Sequence, residues 1–149
     1  MPVRIQSNLF DIGAEIEAFQ SGRTDAGAMV SFCGIVRQSE DAPLSRMLIE
    51  HYAGMTEKSI RKIELEARAK WSLVDCLIIH RFGELEPGDP IMMVATLAEH
   101  RSDAFQAAEF LMDYLKSRAP FWKKEFRTGG ESWVASKESD EAALERWSE

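Results

Sequence analysis

Short apolar runs with the composition of β-strands alternate along this chain with segments whose apolar residues recur at helical spacing. The strand-like runs are rich in β-branched and aromatic residues or alternate between two faces, and they occupy 28–36, 46–52, 74–82 and 91–97. The helical spacing occupies 12–19, 56–71 and 102–118. The pattern predicts an α+β fold, in which helices pack against a mostly antiparallel sheet.

Residues that begin and end secondary structure support these boundaries. Asp11, Thr56 and Ser139 are suitable N-caps, the last for a short acidic helix at the C-terminus. Pro120 cannot continue the third long helix, which must end just before it. A Thr-Gly-Gly sequence at 128–130 predicts a hairpin that joins two further strands.

The length of 149 residues fits one domain over 1–149, and no repeat or low-complexity linker divides it. No apolar run approaches the roughly 20 residues of a membrane-spanning helix, and the first residues lack the apolar core of a secretion signal. We therefore expect a cytoplasmic protein without a membrane partner.

Cys33 and Cys76 lie far apart in apolar runs, so no disulfide is expected.

The charge of the chain is unevenly distributed. Lys and Arg number 18 against 25 Asp and Glu, a net charge of −7, yet the segment 101–127 carries six basic and four acidic residues. Nucleic-acid binding needs a broad cationic surface, so the composition argues against that class. One basic segment on an acidic body favours a local site for a small anion. The alternative is that these residues are ordinary surface charges.

Familiar catalytic motifs are missing from the sequence. It contains neither G-x-x-x-x-G-K-[ST] nor G-x-G-x-x-G, the two common phosphate-binding loops. Cysteine and histidine are not clustered at metal-ligand spacing, and H-E-x-x-H and G-x-S-x-G are absent. The sequence therefore predicts no metal site, no bound cofactor and no serine-type triad.

Several cationic residues stand where elements are predicted to end. His100 and Arg101 lie between a strand and the first turn of a helix, where backbone N–H groups and the helix dipole favour an anion. Lys116 lies in the last turn of that helix, Lys123 follows shortly after it, and Arg37 directly follows the first long strand. Each also has a plainer interpretation as a loop cap, a helix-dipole partner or a surface charge. Together they indicate a small anionic ligand and allow lysine chemistry.

Four sequence segments taken together resemble one known family. They are EHYAGMT at 50–56, HRFGELEPGD at 80–89, AEHRS at 98–102 and MDYLKSRAPFWKKE at 112–125. They are similar to segments of the large, catalytic subunit of molybdopterin synthase, and the similarity covers nearly the whole chain.

The resemblance implies the fold of that subunit, which is of the α/β-hammerhead type, and a sulfurtransferase activity. Members of the family convert cyclic pyranopterin monophosphate (precursor Z) to molybdopterin in molybdenum cofactor biosynthesis. The sulfur arrives as a thiocarboxylate on the C-terminal Gly-Gly tail of a small ubiquitin-like subunit. Two large subunits form a central homodimer, and one small subunit binds at each end to complete a heterotetramer.

The resemblance also implies roles for individual residues. Lys116 is similar to the principal catalytic lysine of the family, and Lys123 is similar to the second essential lysine of the same pocket. His100 and Arg101 are similar to residues that bind the pterin phosphate, contributed by the other large subunit of the dimer. The other substrate-binding positions that the resemblance implies are Ile35, Val36, Arg37, Met112, Lys124, Glu125 and Lys137.

Three of these positions depart from the family or from the strand pattern. The family often has Gly-Lys-Val-Arg where this chain has GIVR at 34–37, so Ile35 lacks a charge. Lys137 stands where arginine is frequent, which removes the bidentate fork of a guanidinium. Lys124 would face away from Lys123 if both lie in one strand, and this orientation favours a solvated position.

Cysteine and histidine side chains invite a direct role in sulfur chemistry, but we do not predict one. Cys33 and Cys76 lie in apolar strands, where a thiol packs as a small hydrophobic group, and the resemblance places the sulfur on the partner. His51 and His80 are interpreted as structural.

The alternative function is a non-catalytic module that binds a ubiquitin-like tail or a phosphorylated ligand. A docking surface would not need a second lysine, which argues against this alternative.

Overall fold

The computed structural model describes residues 2–134 and 138–147. Within these residues the elements follow one another as β1 (Val3–Gln6), α1 (Ile12–Gln20), β2 (Ala28–Ile35), β3 (Leu44–His51), α2 (Met55–Lys70), β4 (Leu73–Arg81), β5 (Gly83–Leu85), β6 (Pro90–Ala98), α3 (Arg101–Ser117), β7 (Phe121–Arg127), β8 (Gly130–Trp133) and α4 (Glu138–Ala143), and a 3₁₀ helix covers Leu144–Trp147. None of the described helices is long and apolar enough to cross a membrane.

The described strands form two four-stranded sheets. The first has the order β1-β4-β6-β2, and its pairs are antiparallel except for the parallel pair of β1 and β4. The second has the order β5-β3-β7-β8 and is antiparallel throughout. The predicted α+β fold with mostly antiparallel pairing is therefore confirmed, although the strands are divided between two sheets.

Helices cover both faces of the first sheet. On one face, Ile78 and Val94 pack in a core with residues of α2 and α3. On the other face, Ile79 and Met93 pack in a smaller core against α1. Because a strand buried on both faces carries apolar residues at every position, this arrangement explains why β4 and β6 are continuous apolar runs in the sequence.

One of the three predicted N-caps is confirmed and one is wrong. The Asp11 carboxylate accepts a hydrogen bond from Ala14 N at 3.0 Å and caps α1. Gly54, with φ of 84°, precedes α2 instead of Thr56. The Thr56 hydroxyl lies inside the first turn, where it donates to the Pro120 carbonyl at 3.0 Å and ties α2 to the start of β7. The side chain of Ser139, the third predicted N-cap, lies outside the part of the chain that the structure describes.

The end of α3 and the hairpin after it agree with the sequence patterns. Helix α3 ends at Ser117, just before Pro120, and the backbone turns directly into β7. The β7–β8 hairpin turns at Gly129, whose φ of 100° favours glycine, and its strands pair from Arg127 to Gly130 onward. This sharp helix-to-strand connection places the last turn of α3 beside the first residues of β7.

Candidate active-site cleft

A cleft lies where the C-terminal end of α3, the strand β7 and the segment after β2 meet. It has two adjoining compartments of about 260 and 250 Å³. Six residues line both compartments and form the junction between them: Ile35, His80, Ile91, Leu115, Lys116 and Lys123. The two lysines that the resemblance marks as catalytic are therefore brought together by the fold.

Helix α3 supplies one wall of the cleft. Met112, Leu115 and Lys116 all line it, and their spacing of three and four residues places them on one side of the helix. The carbonyl end of a helix carries partial negative charge, which favours a cation in the last turn. Lys116 occupies that turn and its side chain is exposed to the cleft.

Strand β7 supplies the opposite wall through its alternation. Phe121, Lys123, Glu125 and Arg127 all line the cleft, because residues two apart point to the same face of a strand. The Arg127 guanidinium donates to the Ala42 carbonyl at 2.6 Å and to the Glu125 carboxylate at 2.9 Å. These two bonds fix the outer end of this wall.

Lys124 points away from the cleft. Its ammonium pairs with Glu131 at 2.9 Å and lies 5.3 Å from the centre of the Trp133 ring, on the β8 side. The strand alternation predicted this orientation correctly. This orientation argues against the substrate-binding role that the resemblance implies for Lys124, a role that stays a prediction.

A β-bulge shapes the third wall. In the pairing of β2 with β6, Ile91 of β6 is the extra residue between the pairs Gly34–Met92 and Ile35–Pro90, and a bulge of this kind bends the sheet locally. The Val36 N–H donates to the Asp89 carbonyl at 2.9 Å, and the Val36 carbonyl accepts from Gly88 N at 2.8 Å. The turn before β6 thus holds this segment, so that Ile35, Val36 and Arg37 all line the cleft.

The cleft is cationic although the chain is acidic. Among the residues that the structure describes, its charged lining consists of four cations and two carboxylates: Arg37, Lys116, Lys123, Arg127, Glu125 and Asp140. A concave site lined by one predominant sign of charge concentrates ligands of the opposite sign. The arrangement can therefore hold an anion between two amines supplied by different walls.

His80 is a cleft residue that the sequence patterns did not single out. Its ring stacks on Phe121 with centroids 3.7 Å apart and an angle of 13° between the planes. Burial, together with the nearby charges of Lys123 and Lys116, lowers the pKa of His80 to about 3, although the hydrogen bond to the Arg81 carbonyl acts in the opposite direction. The imidazole is therefore neutral at physiological pH. The sequence patterns predicted a structural role for His80 and did not predict that it lies beside Lys116 and Lys123.

His100 and Arg101 lie far from this cleft within one chain. They stand at the N-terminal end of α3, and the fifteen residues from Arg101 to Lys116 span about 22 Å of helix. The His100 side chain is 82% exposed and 3.8 Å from the Glu99 carboxylate. The fold of a single chain therefore does not join these two residues to Lys116 and Lys123.

The remaining predicted positions are accounted for as follows. Met112 and the half-buried Cys33 line the second compartment. Burial raises the pKa of Cys33, and burial raises the pKa of Cys76 to about 12, so both thiols keep their protons at neutral pH. Lys137 lies outside the described residues.

The two sheets and the cleft define the class of this protein as an α+β protein with a lysine-lined cationic cleft between a helix end and a strand. The family model described as "MoaE protein" matches residues 5–118. The chain belongs to the MoaE family.

Individual relatives agree with this assignment over almost the full length. The molybdopterin synthase catalytic subunit of Cereibacter sphaeroides is 60% identical over 147 residues, which cover 99% of this chain and all of the relative. The solved MoaE structure from Burkholderia ambifaria has a TM-score of 0.82 at 50% identity, covering 97% of this chain and 96% of that one. The molybdopterin synthase structure from Staphylococcus aureus has a TM-score of 0.83 at 29% identity, covering 91% and 98%.

Proposed function

We propose that this chain is the catalytic subunit of a molybdopterin synthase, a sulfurtransferase of molybdenum cofactor biosynthesis. The substrate is cyclic pyranopterin monophosphate, and the product is molybdopterin with its two dithiolene sulfurs. Two relatives named molybdopterin synthase, one as its catalytic subunit, support this proposal over more than nine-tenths of the chain.

The observation that carries the proposal is the meeting of Lys116 and Lys123 at the junction of the two cleft compartments. Sulfur transfer from an acyl group needs groups that hold the anionic thiocarboxylate and stabilise the negative charge that develops on the acyl oxygen. It also needs proton transfer when an oxygen leaves the pterin side chain as water. Two amines from different walls can divide these tasks between the donor and the pterin.

The donor is a small ubiquitin-like subunit whose C-terminal Gly-Gly tail carries the thiocarboxylate. Glycine has no side chain, so such a tail is narrow enough to enter a cleft between a helix and a strand. Its terminal anion would be drawn towards Lys116 and Lys123 by the predominantly cationic lining. The word "subunit" in the names of relatives agrees with a partner of this kind.

The phosphate of the pterin is bound by His100 and Arg101 of a second copy of the chain, which makes the homodimer part of the site. The support is geometric, because about 22 Å of helix separates Arg101 from Lys116 in one chain. Arg37 lines the cleft from the same chain and is a further phosphate ligand. With one small subunit at each end, the assembly is a heterotetramer.

We further propose that residues 1–149 act as one catalytic domain in the cytoplasm. The free thiols of Cys33 and Cys76 are consistent with a reducing compartment. Neither thiol is assigned a part in carrying sulfur.

Reconstitution tests the proposal directly. The chain is incubated with precursor Z and a small subunit carrying a C-terminal thiocarboxylate, and molybdopterin is measured after one turnover. A parallel reaction uses the same small subunit with an ordinary carboxylate. Product in the first reaction alone supports a sulfurtransferase, whereas absence of product in both, from a folded chain that binds the small subunit, would favour the non-catalytic module.

A further inference from the structure

One ring nitrogen of His80 makes a hydrogen bond to the backbone, and the other ring nitrogen is left for the cleft. Nδ1 lies 2.8 Å from the Arg81 carbonyl oxygen, and because a carbonyl only accepts, Nδ1 carries the proton. Nε2 is then the nitrogen with a free lone pair. Stacking on Phe121 holds the plane of the imidazole ring.

The lone pair of Nε2 is accessible from the cleft. Within the described part of the chain, Nδ1 makes the hydrogen bond of this ring. Over the same residues, Ser117 Oγ is the one side-chain nitrogen or oxygen that is both sealed from solvent and unpaired. Nε2 is not in that condition, and His80 lines both compartments at their junction.

The second compartment suits a flat ring system. Phe32, Ile91, Met92 and Met112 line it together with the two lysines and His80. The lysines bring only hydrogen-bond donors, and the Glu125 carboxylate at the outer end is engaged by Arg127. A neutral acceptor at the junction therefore complements a ligand that carries N–H groups beside its anionic part.

We propose that His80 is a specificity-determining residue of this cleft, whose Nε2 accepts a hydrogen bond from an N–H group of the substrate ring. This inference rests on the proposed function, since a reduced pterin carries such N–H groups. The groups that face the imidazole are Lys116 from α3, Lys123 from β7 and His51 from β3. The positive charges of the two lysines oppose protonation of the imidazole, which would turn Nε2 into a donor.

The test compares His80→Gln, whose amide oxygen can still accept, with His80→Leu, which has no acceptor. The measurement is the dissociation constant of precursor Z by calorimetry, with thermal stability recorded for each variant. We expect His80→Leu to bind about tenfold more weakly, because an unpaired N–H in a closed site is costly. We expect His80→Gln to bind within about threefold of wild type.

A matched control is His51→Leu. His51 also packs against Phe121, at 6.4 Å, and against Phe82, at 4.2 Å, but it faces a different depression, lined with Tyr52 and Trp122. The His51→Leu variant should bind precursor Z with the wild-type dissociation constant even if its thermal stability falls.

The outcomes separate this inference from the function it rests on. If the wild-type chain does not bind precursor Z, the proposed function fails. If wild type binds and His80→Leu binds equally well, or if both His80 variants lose only kcat with unchanged affinity, the acceptor role is overturned. If His80→Leu does not fold, His80→Gln and His80→Met provide the same comparison.

Discussion

Lys123 and Lys124 are consecutive residues of β7 whose ammonium groups lie on opposite faces of the strand. Lys123 lines the cleft at the junction of its two compartments. Lys124 pairs with Glu131 at 2.9 Å and lies against the Trp133 ring. The pair provides an internal comparison, because the two side chains share their chemistry and their neighbourhood in sequence and differ in the face they occupy.

Replacing these lysines one at a time should separate catalysis from surface charge. We expect Lys123→Ala to lower the rate of sulfur transfer by on the order of a hundredfold or more, because it removes a positive charge from the reacting centre. Lys124→Ala should stay within about threefold of wild type, since Lys124 lies on the other face of β7 and its ion pair with the exposed Glu131 contributes little. Single-turnover rates of molybdopterin formation measure both. Equal losses of rate in the two variants would show that the rate of sulfur transfer does not depend on which face of β7 the lysine occupies.

Arg101→Ala should weaken binding of the phosphorylated pterin by about 1.5–3 kcal/mol, the range for a lost charged contact. Calorimetric titration with precursor Z measures this loss. An unchanged affinity would mean that the phosphate is bound elsewhere.

Mixing variants tests whether Arg101 acts across the dimer. Arg101→Ala and Lys116→Ala chains are co-refolded in equal amounts, and each mixed dimer then has one site with both residues intact. About one quarter of all sites should recover activity, because half of the dimers are mixed and half of their sites are intact. No recovery above the two separate variants would place Arg101 in the same chain's site.

Cys33→Ser and Cys76→Ser should both retain turnover. Burial raises the pKa of each thiol, that of Cys76 to about 12, and a protonated thiol is a poor sulfur nucleophile. Turnover is measured per folded chain, with folding checked by circular dichroism. A folded cysteine variant that had lost activity would show that the replaced thiol takes part in sulfur transfer.

His80 should make the stability of the fold depend on pH. Burial lowers the pKa of His80 to about 3 from its ordinary value of 6.5. Between these values the unfolded chain binds a proton that the folded chain does not, so stability is lost as the pH falls below 6.5. Urea unfolding at pH 6.5 and 5.0 should show a loss of up to about 2 kcal/mol from this group. An equal pH dependence in His80→Gln would assign the effect to other residues.

Periodicity in the sequence predicted most of the helices and strands, and the family resemblance predicted most of the cleft residues. Periodicity located α1, α3 and the long strands because each buries a regular face or both faces. Strands β1 and β5 were not predicted, because they have only four and three residues and form through pairing with β4 and β3. Thr56 was mistaken for an N-cap because its hydroxyl bonds to a residue 64 positions away.

The cleft itself could not be derived from local pattern. Arg37, Lys116 and Lys123 come together only because the bulge after Gly34 and the break at Pro120 turn their segments towards one place. The resemblance supplied these residues as a set. It also supplied Lys124, whose orientation away from the cleft was predicted by strand alternation. His80 was overlooked because its neighbours in sequence are those of a buried strand, and its role depends on Phe121 from another sheet.

Single-turnover formation of molybdopterin by the Lys116→Ala chain tests the central claim most directly. Precursor Z and a thiocarboxylated small subunit are supplied to wild type, to Lys116→Ala, and to Lys62→Ala, which removes an exposed lysine of α2. We predict product with wild type and Lys62→Ala, and a rate at least a hundredfold lower with Lys116→Ala. A folded Lys116→Ala chain that formed product at the wild-type rate would contradict the account.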